Sequence, residues 1–500
     1  MAYEGQAAES ASGELLRSAF RAIQAEILDR PRRHAVEVGR DYTGATVMAL
    51  PEFQRFEEAL KGYLPERFTG EVGRLEFAQQ YAFPVIEGFA LRLAADGDHH
   101  EESLSACVSE LMELLNRSDD HVVAARVVTD VDVSEQVDLG EVRISPLGSW
   151  GLHDAYRAIE SLIPGSILRL DDAVPFGPMT SQFALLVTEA SAPRGSPFEP
   201  GHYSAAERAT RRLSSALAAI RLATAATADT IVEAIAQPGY VRLRRPVITS
   251  YPFTRIPLVQ RVARVRPSDG VSIASLAEKM ARWSSDEPQP NPLGVAIERF
   301  NRSYLERPWF DQLVDLSVAL EASLLSGSPE KEDIGLRLRG RAAALLAEEH
   351  DGDSVIYADI KAAYNLRSWI VHGSNPRPQD IAAEIDRISV SARSTNSGVK
   401  AALAMDRVRD IARRSILARG FLGDAGKWPL GKAARQKDVD GELINPETRE
   451  SWRAAWRIGM SDIGLGAAAG RAQDAETEPR VRVWERDAGI DPLSTPRESE

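Results

Sequence analysis

The chain has 500 residues, and 73 Asp and Glu against 60 Lys and Arg give it a net charge of -13. This length allows roughly two to four domains, and the acidic balance argues against a protein coated for nonspecific nucleic-acid binding. The single cysteine, Cys107, excludes disulfide frameworks, zinc fingers and iron-sulfur clusters, because each of these needs several thiols.

No apolar run approaches the roughly 18 residues that a membrane-spanning helix requires. The first 13 residues are small, polar and acidic, without the basic and apolar segments of a secretory signal. The sequence therefore predicts a cytoplasmic protein without a membrane partner.

Residues 1–283 predict an α+β domain of unknown role, with a sensing or regulatory function as one possibility. Apolar spacing of three and four predicts helices, and Val-rich, partly alternating runs predict strands. The predicted helices are 15–27, 53–64 and 205–223. The predicted strands are 121–131, 137–147, 182–187, 240–249 and 258–265.

Residues 284–292 predict a linker, because proline, serine and aspartate there disfavour helix and sheet. Residues 293–422 then predict an all-α bundle, because the helical patterns are joined by short breaks. Its predicted helices are 296–305 continuing through 310–325, then 331–349, 354–371, 379–389 and 399–418. Residues 423–500 predict an irregular, largely disordered acidic tail, because large apolar side chains become scarce towards the C-terminus.

Two segments imitate known sites without meeting their requirements. Residues 420–428 (GFLGDAGKW) imitate a phosphate loop, but Trp428 stands where Ser or Thr should bind magnesium. The HHEE run at 99–102 points its side chains in different directions, so a solvated helix start is the better interpretation. The sequence predicts no metal site and no cofactor.

The most informative stretch is 364–373, YNLRSWIVHG. Gly373 and the following residues end a helix there, which places His372 where the negative end of the helix dipole favours imidazolium. Arg367 lies five residues earlier, so the two side chains are roughly 140° apart around the helix axis. Without further information, an Arg and a His at a helix end are more often a cap and a surface charge than a catalytic pair.

Three segments together resemble the HEPN superfamily, and most closely its ApeA-like branch. They are 310–325 (FDQLVDLSVALEASLL), 339–346 (RGRAAALL) and 364–373, within a resemblance that covers roughly residues 292–422. Such families carry Arg, then four to six residues, then His, and Arg367 with His372 fits this pattern. Ser368 follows the Arg where many members have Asn or another strongly polar residue.

The resemblance implies a four-helix bundle that forms a homodimer with a metal-independent endoribonuclease site shared between protomers. In that role Arg367 stabilises the phosphate and His372 acts as acid or base, with Ser368 as a supporting residue. The resemblance further implies a role in stress or phage defence, with RNA as substrate. A catalytically inactive module that binds RNA or a nucleotide remains the main alternative, and a purely structural dimerisation module is another.

Four further assignments stay open on the sequence alone. Glu321 lies on an apolar helix face and needs a cationic partner, either Arg341 or Arg367, and it either pairs structurally or orients the active Arg. Tyr364 is either a core residue with a polar tip or a substrate contact. Three arginines of the helix 399–418 and its surroundings form either a solvated face or a track for RNA phosphates. They are Arg407, Arg413 and Arg414.

Overall fold

The computed structural model describes most of the chain from residue 51 onwards. The described ranges are 51–63, 82–96, 100–147, 152–164, 182–193, 204–243, 246–251, 259–285, 291–305, 308–325, 333–374, 376–391, 394–428, 438–470 and 480–481. The helix predicted at 15–27 and the tail beyond residue 481 lie outside them.

The N-terminal region combines helices with strands, as the sequence predicts. The helices are α1 (Pro51–Tyr63), α2 (Phe83–Asp96), α3 (His100–Asn116), α4 (Leu152–Leu162), α5 (Ala205–Thr224) and α6 (Gly270–Ser285). The strands are β1 (Asp119–Thr129), β2 (Val131–Val133), β3 (Val137–Leu139), β4 (Val142–Pro146), β5 (Phe183–Pro193), β6 (Thr230–Ala236), β7 (Val247–Ser250), β8 (Val259–Gln260) and β9 (Ala263–Val265). Of the HHEE run, residues 100–102 begin a helix, since α3 starts at His100 and exposes Glu101 and Glu102.

Six of these strands form one sheet in the order β3-β4-β5-β1-β6-β7, with antiparallel neighbours. Strands β1 and β5 pair along their whole length, from Asp119 opposite Pro193 to Thr129 opposite Phe183. Both faces of β1 are buried: Val122 and Ala124 pack with α5 in one core, and Val123 and Ala125 with α4 in another. This explains why apolar residues of β1 follow one another instead of strictly alternating with polar ones, with Arg126 as a buried exception.

Several strand predictions differ from the structure. Among the described residues of 240–249 only 247–249 lie in a strand, β7, and 258–265 is divided between β8 and β9. The stretch 137–147 is a hairpin rather than one strand, because Gly140 adopts a left-handed conformation with φ 74° and turns the chain. Strand β6 was missed because Glu233 interrupts its apolar pattern. Glu233 lies opposite Arg126 in the strand register, and the Arg126 Nε donates to it at 2.8 Å inside the protein.

The C-terminal half is helical, as predicted for residues 293–422. Its helices are α7 (Pro292–Arg302), α8 (Trp309–Leu324), α9 (Ile334–Leu346), α10 (Asp353–Val371), α11 (Pro378–Asp386), α12 (Ser397–Asp424), α13 (Val439–Ile444), α14 (Pro446–Asp462) and α15 (Ala467–Gly470). The residues 296–325 form two helices, and proline begins α7, α11 and α14. Helices α8, α9, α10 and α12 pack against one another.

The prediction of an irregular tail from residue 423 is wrong for residues 438–470. Helix α14 buries Trp452, Trp456 and Met460 on one face, since residues four apart share a face of a helix. It packs against α12, and Asp440 of α13 pairs with Arg341 of α9. The tail contributes to the core because its few large apolar residues are spaced to lie together.

The predicted linker marks a break between helices but not a break in the core. Helix α6 ends at Ser285 and α7 begins at Pro292. One hydrophobic cluster nevertheless runs from the sheet through α5 and α6 into the C-terminal helices. Arg261, between β8 and β9, also donates from Nε to Asp406 of α12 at 2.7 Å.

Candidate functional site

Helix α10 carries Arg367 and ends in a hydrogen-bonded cap at His372. The N–H of Ser374 donates to the Trp369 carbonyl at 3.0 Å, and the N–H of Gly373 donates to that of Ile370 at 3.3 Å. Gly373 has φ 63°, so this is a Schellman cap. His372 is therefore the cap residue, and its side chain is exposed at the negative end of the helix.

Arg367 lies between two of the predicted supporting residues. Its Nη2 is 3.5 Å from the Oε1 of Glu321 on α8, and its guanidinium carbon is 5.8 Å from the centre of the Tyr364 ring. The Arg367 side chain is 19% exposed, and its buried Nε has no acceptor. One side of the guanidinium thus faces a carboxylate, while the buried Nε has no hydrogen-bond partner.

Of the two partners predicted for Glu321, the structure shows Arg367. Arg341 is buried elsewhere, where its Nε donates to Asp440 at 2.6 Å and its Nη1 to the Leu324 carbonyl at 2.7 Å. Burial raises the pKa of the Glu321 carboxyl, and the Arg367 charge offsets only part of that rise. The ionised form of Glu321 therefore lowers the stability of the folded protein.

Tyr364 and Ser368 are both half-buried on α10. The Tyr364 ring packs on Gly335 of α9, where an added Cβ would come within 3.1 Å of Cε1. The Ser368 carbonyl accepts from the N–H of His372 at 3.1 Å. Tyr364 thus has a packed ring, as the core interpretation expects, while Ser368 supports the helix end that presents His372.

The prediction that Arg407, Arg413 and Arg414 form a surface track for RNA is wrong. These side chains are 2%, 1% and 0% exposed. Helix α12 is surrounded by other elements, so its arginines turn inwards to buried carboxylates.

The arginines of α12 form a buried ionic network with aspartates. Arg407 donates to Asp359 at 2.8 Å, and both Arg407 and Arg414 pair with Asp351. Arg413 and Arg414 share Asp410, at 2.8 and 3.1 Å. Burial raises the pKa of Asp410, but the charges of Arg414 and Arg413 outweigh it and bring the pKa down to about 2. The charges of these arginines are thereby neutralised inside the protein.

A second arginine near the site was missed by the sequence reasoning. Arg339 of α9 places its guanidinium carbon 4.9 Å from the centre of the Tyr357 ring on α10, and its buried Nε has no acceptor. Tyr357 and Tyr364 are seven residues apart, which places them on one face of α10 about 10 Å from each other. Their heptad spacing was the available signal, but it does not show that an arginine lies over each ring.

The chain matches no protein-family profile, no curated protein and no solved structure. Among the described residues, no group of three or more His, Cys, Asp or Glu side chains is arranged to hold a metal ion. None of the described helices combines the length and apolar character needed to cross a bilayer.

Proposed function

We propose that this protein is a HEPN-type, metal-independent endoribonuclease that acts in stress or phage defence. The observation that carries the proposal is the state of Arg367, which is oriented by Glu321 and Tyr364 but keeps an unpartnered Nε. His372 is exposed five residues further along the chain. The defence role comes from the sequence resemblance alone.

The proposed reaction uses the 2′-hydroxyl of the RNA as nucleophile. A base takes the proton of this hydroxyl, the 2′-oxygen attacks phosphorus, and the bond from phosphorus to the 5′-oxygen breaks. An acid protonates the departing 5′-oxygen, which leaves a 2′,3′-cyclic phosphate and a 5′-hydroxyl. Histidine suits both proton transfers near neutral pH, and a guanidinium can bind two oxygens of the charged phosphorane at once.

Glu321 serves in this proposal as a positioning residue for Arg367. The 3.5 Å ion pair holds the guanidinium against α8, so that Arg367 loses less side-chain freedom when it binds a phosphate. Glu321 itself has no proton-transfer role here.

The proposal requires a homodimer, because each chain supplies one His372 while the reaction needs both a base and an acid. A two-fold axis near the end of α10 would bring two copies of this histidine together. Val371 and Leu336, each 48% exposed, provide apolar surface at this end of the helices. Trp369 and Ile370 are half-buried against the core and offer only part of their surface to a partner.

The substrate strand would extend from Arg367 along the α9–α10 face towards Arg339. This face carries two arginine–tyrosine pairs and the exposed Lys361 between them. Cationic and aromatic groups in alternation suit single-stranded RNA, because phosphates bind the cations and bases stack on the rings.

The second candidate is a HEPN module without catalysis that binds RNA or a nucleotide and regulates another process. Ser368 favours it, because many members of the resembled family have a more strongly polar residue at this position. This candidate predicts RNA binding with no cleavage.

The test is incubation of the purified full chain with mixed RNA in the presence of EDTA, followed by analysis of the ends. We expect cyclic phosphate and 5′-hydroxyl ends, and His372→Ala should lower the rate by at least ~100- to 10000-fold because the histidine acid and base are lost. His350→Ala is the matched control, since His350 is an exposed histidine outside the proposed site. A strict magnesium requirement, 5′-phosphate ends, or an unchanged rate in His372→Ala would refute the mechanism.

A further inference from the structure

Arg419, near the end of α12, is a buried cation without an anionic partner. Its side chain is 4% exposed, its guanidinium carbon lies 5.0 Å from the centre of the Trp428 ring, and its Nε has no acceptor. Arg407, Arg413 and Arg414 on the same helix each pair with at least one aspartate. No described carboxylate pairs with Arg419.

The electrostatics of Arg419 reflect this difference. Burial lowers its pKa to about 9, and no neighbouring carboxylate opposes the effect. An uncompensated guanidinium inside a protein is costly, and the aromatic face of Trp428 supplies only a weak substitute for a negative charge. A ligand that carries negative charge would remove this cost.

Trp428, whose ring Arg419 contacts, and helix α14, which packs against α12, carry further donors without acceptors. Trp428 Nε1, Arg449 Nε and Trp456 Nε1 are buried and unpartnered. The Trp428 ring is 5.8 Å from that of Trp452, and Arg449 and Trp456 lie one turn before and after Trp452 on the same side of α14. The contact between the end of α12 and α14 thus presents N–H groups, and oxygen atoms are what these groups need.

Gly423 leaves space beside the Arg419 guanidinium. It lies in the last turn of α12, it is partly exposed, and an added Cβ there would come within 3.3 Å of the Arg419 Nη1. Although Arg419 is buried, this edge of its guanidinium is thus covered by no side chain at position 423.

We propose that Arg419 and its neighbouring donors form a binding site for a small oxyanion, carried by a phosphate or carboxylate group. The ligand binds in the plane of the guanidinium, because the Trp428 ring covers one face and the edge at Gly423 is open. This site involves none of the proposed nuclease residues, so it is independent of the proposed function.

Thermal unfolding of the full chain tests the site, with ~10 mM inorganic phosphate or acetate compared with chloride at matched ionic strength. Phosphate also stabilises proteins through exclusion from their surface, so the measured quantity is the difference between the wild type and Arg419→Met. We expect phosphate, acetate or both to raise the wild-type Tm by at least ~2 °C and to leave Arg419→Met unchanged. Arg282→Met, which removes an exposed arginine, should respond like the wild type.

The pattern of responses identifies the ligand chemistry. A rise with phosphate alone assigns a phosphate ligand, a rise with acetate alone assigns a carboxylate, and a rise with both assigns either group. An equal rise in wild type and Arg419→Met, or no rise in the wild type, overturns the proposal.

Gly423→Ala is the second variant, and it keeps the cation while it narrows its open edge. Alanine suits a helix better than glycine, so this variant should fold in the absence of the anion. We expect its apparent affinity for the stabilising anion to fall at least tenfold. An unchanged affinity would contradict the proposed route of entry and the site with it, even where Arg419→Met fails to fold.

Discussion

At the scale of single residues, Glu321 shows a conflict between the stability of the folded protein and the proposed function. Its carboxylate holds Arg367 at 3.5 Å, yet it is partly buried, and burial raises its pKa. Burial therefore favours the protonated form, while the proposed positioning role needs the ionised form.

Glu321→Gln should accordingly leave the folded state as stable as the wild type, or more stable, at pH 7. A raised folded-state pKa means that the wild type loses stability as pH rises through that pKa, whereas the Gln variant does not titrate. The difference in stability should therefore vanish below pH ~4.5. Urea unfolding at several pH values measures it.

The same substitution should lower RNA cleavage roughly 10- to 100-fold, because Arg367 loses its orienting charge. Glu298→Gln, on another helix, is a suitable control. A variant that is less stable than the wild type at pH 7 and fully active would contradict the positioning role.

At the scale of elements, α12 is held in place by ion pairs inside the protein. Arg413 and Arg414 share Asp410, and Arg407 links α12 to Asp359 of α10, the helix of the candidate site. Because these charges are shielded from water, the loss of one partner strands another.

Asp410→Asn should lower the free energy of unfolding by about 3 to 5 kcal/mol, since two buried guanidinium groups lose their shared carboxylate. Asp386→Asn breaks the more exposed pair with Lys400 and should cost under about 1 kcal/mol. Urea unfolding at pH 7 compares the two variants, and similar losses in both would show that the network is accessible to water.

Acid titration provides a second readout of Asp410. A carboxyl whose folded-state pKa is about 2, below its usual 3.8, contributes stability that is present above pH ~4 and lost as pH falls towards 2. The wild-type advantage over Asp410→Asn should decrease in this window.

Helix α14 packs against the core through its tryptophans, so the loss of one of them should lower the free energy of unfolding. Trp456→Ala leaves a cavity at a fully buried position and should cost about 3 to 5 kcal/mol. Ile458→Ala, on the same helix but 58% exposed, should change stability by less than about 0.5 kcal/mol. Urea unfolding separates them, and equal small effects would mean that α14 does not dock on α12.

At the scale of the whole molecule, the proposed nuclease depends on two chains. Within the described protomer, no hydrogen bond joins Arg367 and His372, in keeping with their wide angular separation on α10. A site that combines them across a dimer would explain how both act on one phosphate.

Mixing Arg367→Ala chains with His372→Ala chains tests this arrangement. If the two residues act in trans, each heterodimer regains one composite site with an intact Arg and an intact His. We expect RNA cleavage to recover to at most about a quarter of the wild-type rate, because half of the dimers are mixed and each has one composite site that contains a single His372. No recovery in confirmed heterodimers, or full activity in a monomer, would remove the shared-site arrangement.

The amino-acid sequence by itself determined most elements of the fold and the end of α10. Periodic apolar spacing predicted α1, α5 and the helices from α7 to α12, and the glycine at 373 predicted where α10 ends. These features are local, because the residues that specify them lie within a few turns of each other.

Only the tertiary structure decided which charges face water. Arg407 pairs with Asp351, more than 50 positions away, and Glu321 reaches Arg367 on another helix. A sequence with many arginines is typical of a solvent-exposed helix face. Helix α12 is instead buried, because other helices and the sheet region surround it. Burial of a charge depends on partners that are distant in the chain, so composition and spacing alone cannot reveal it.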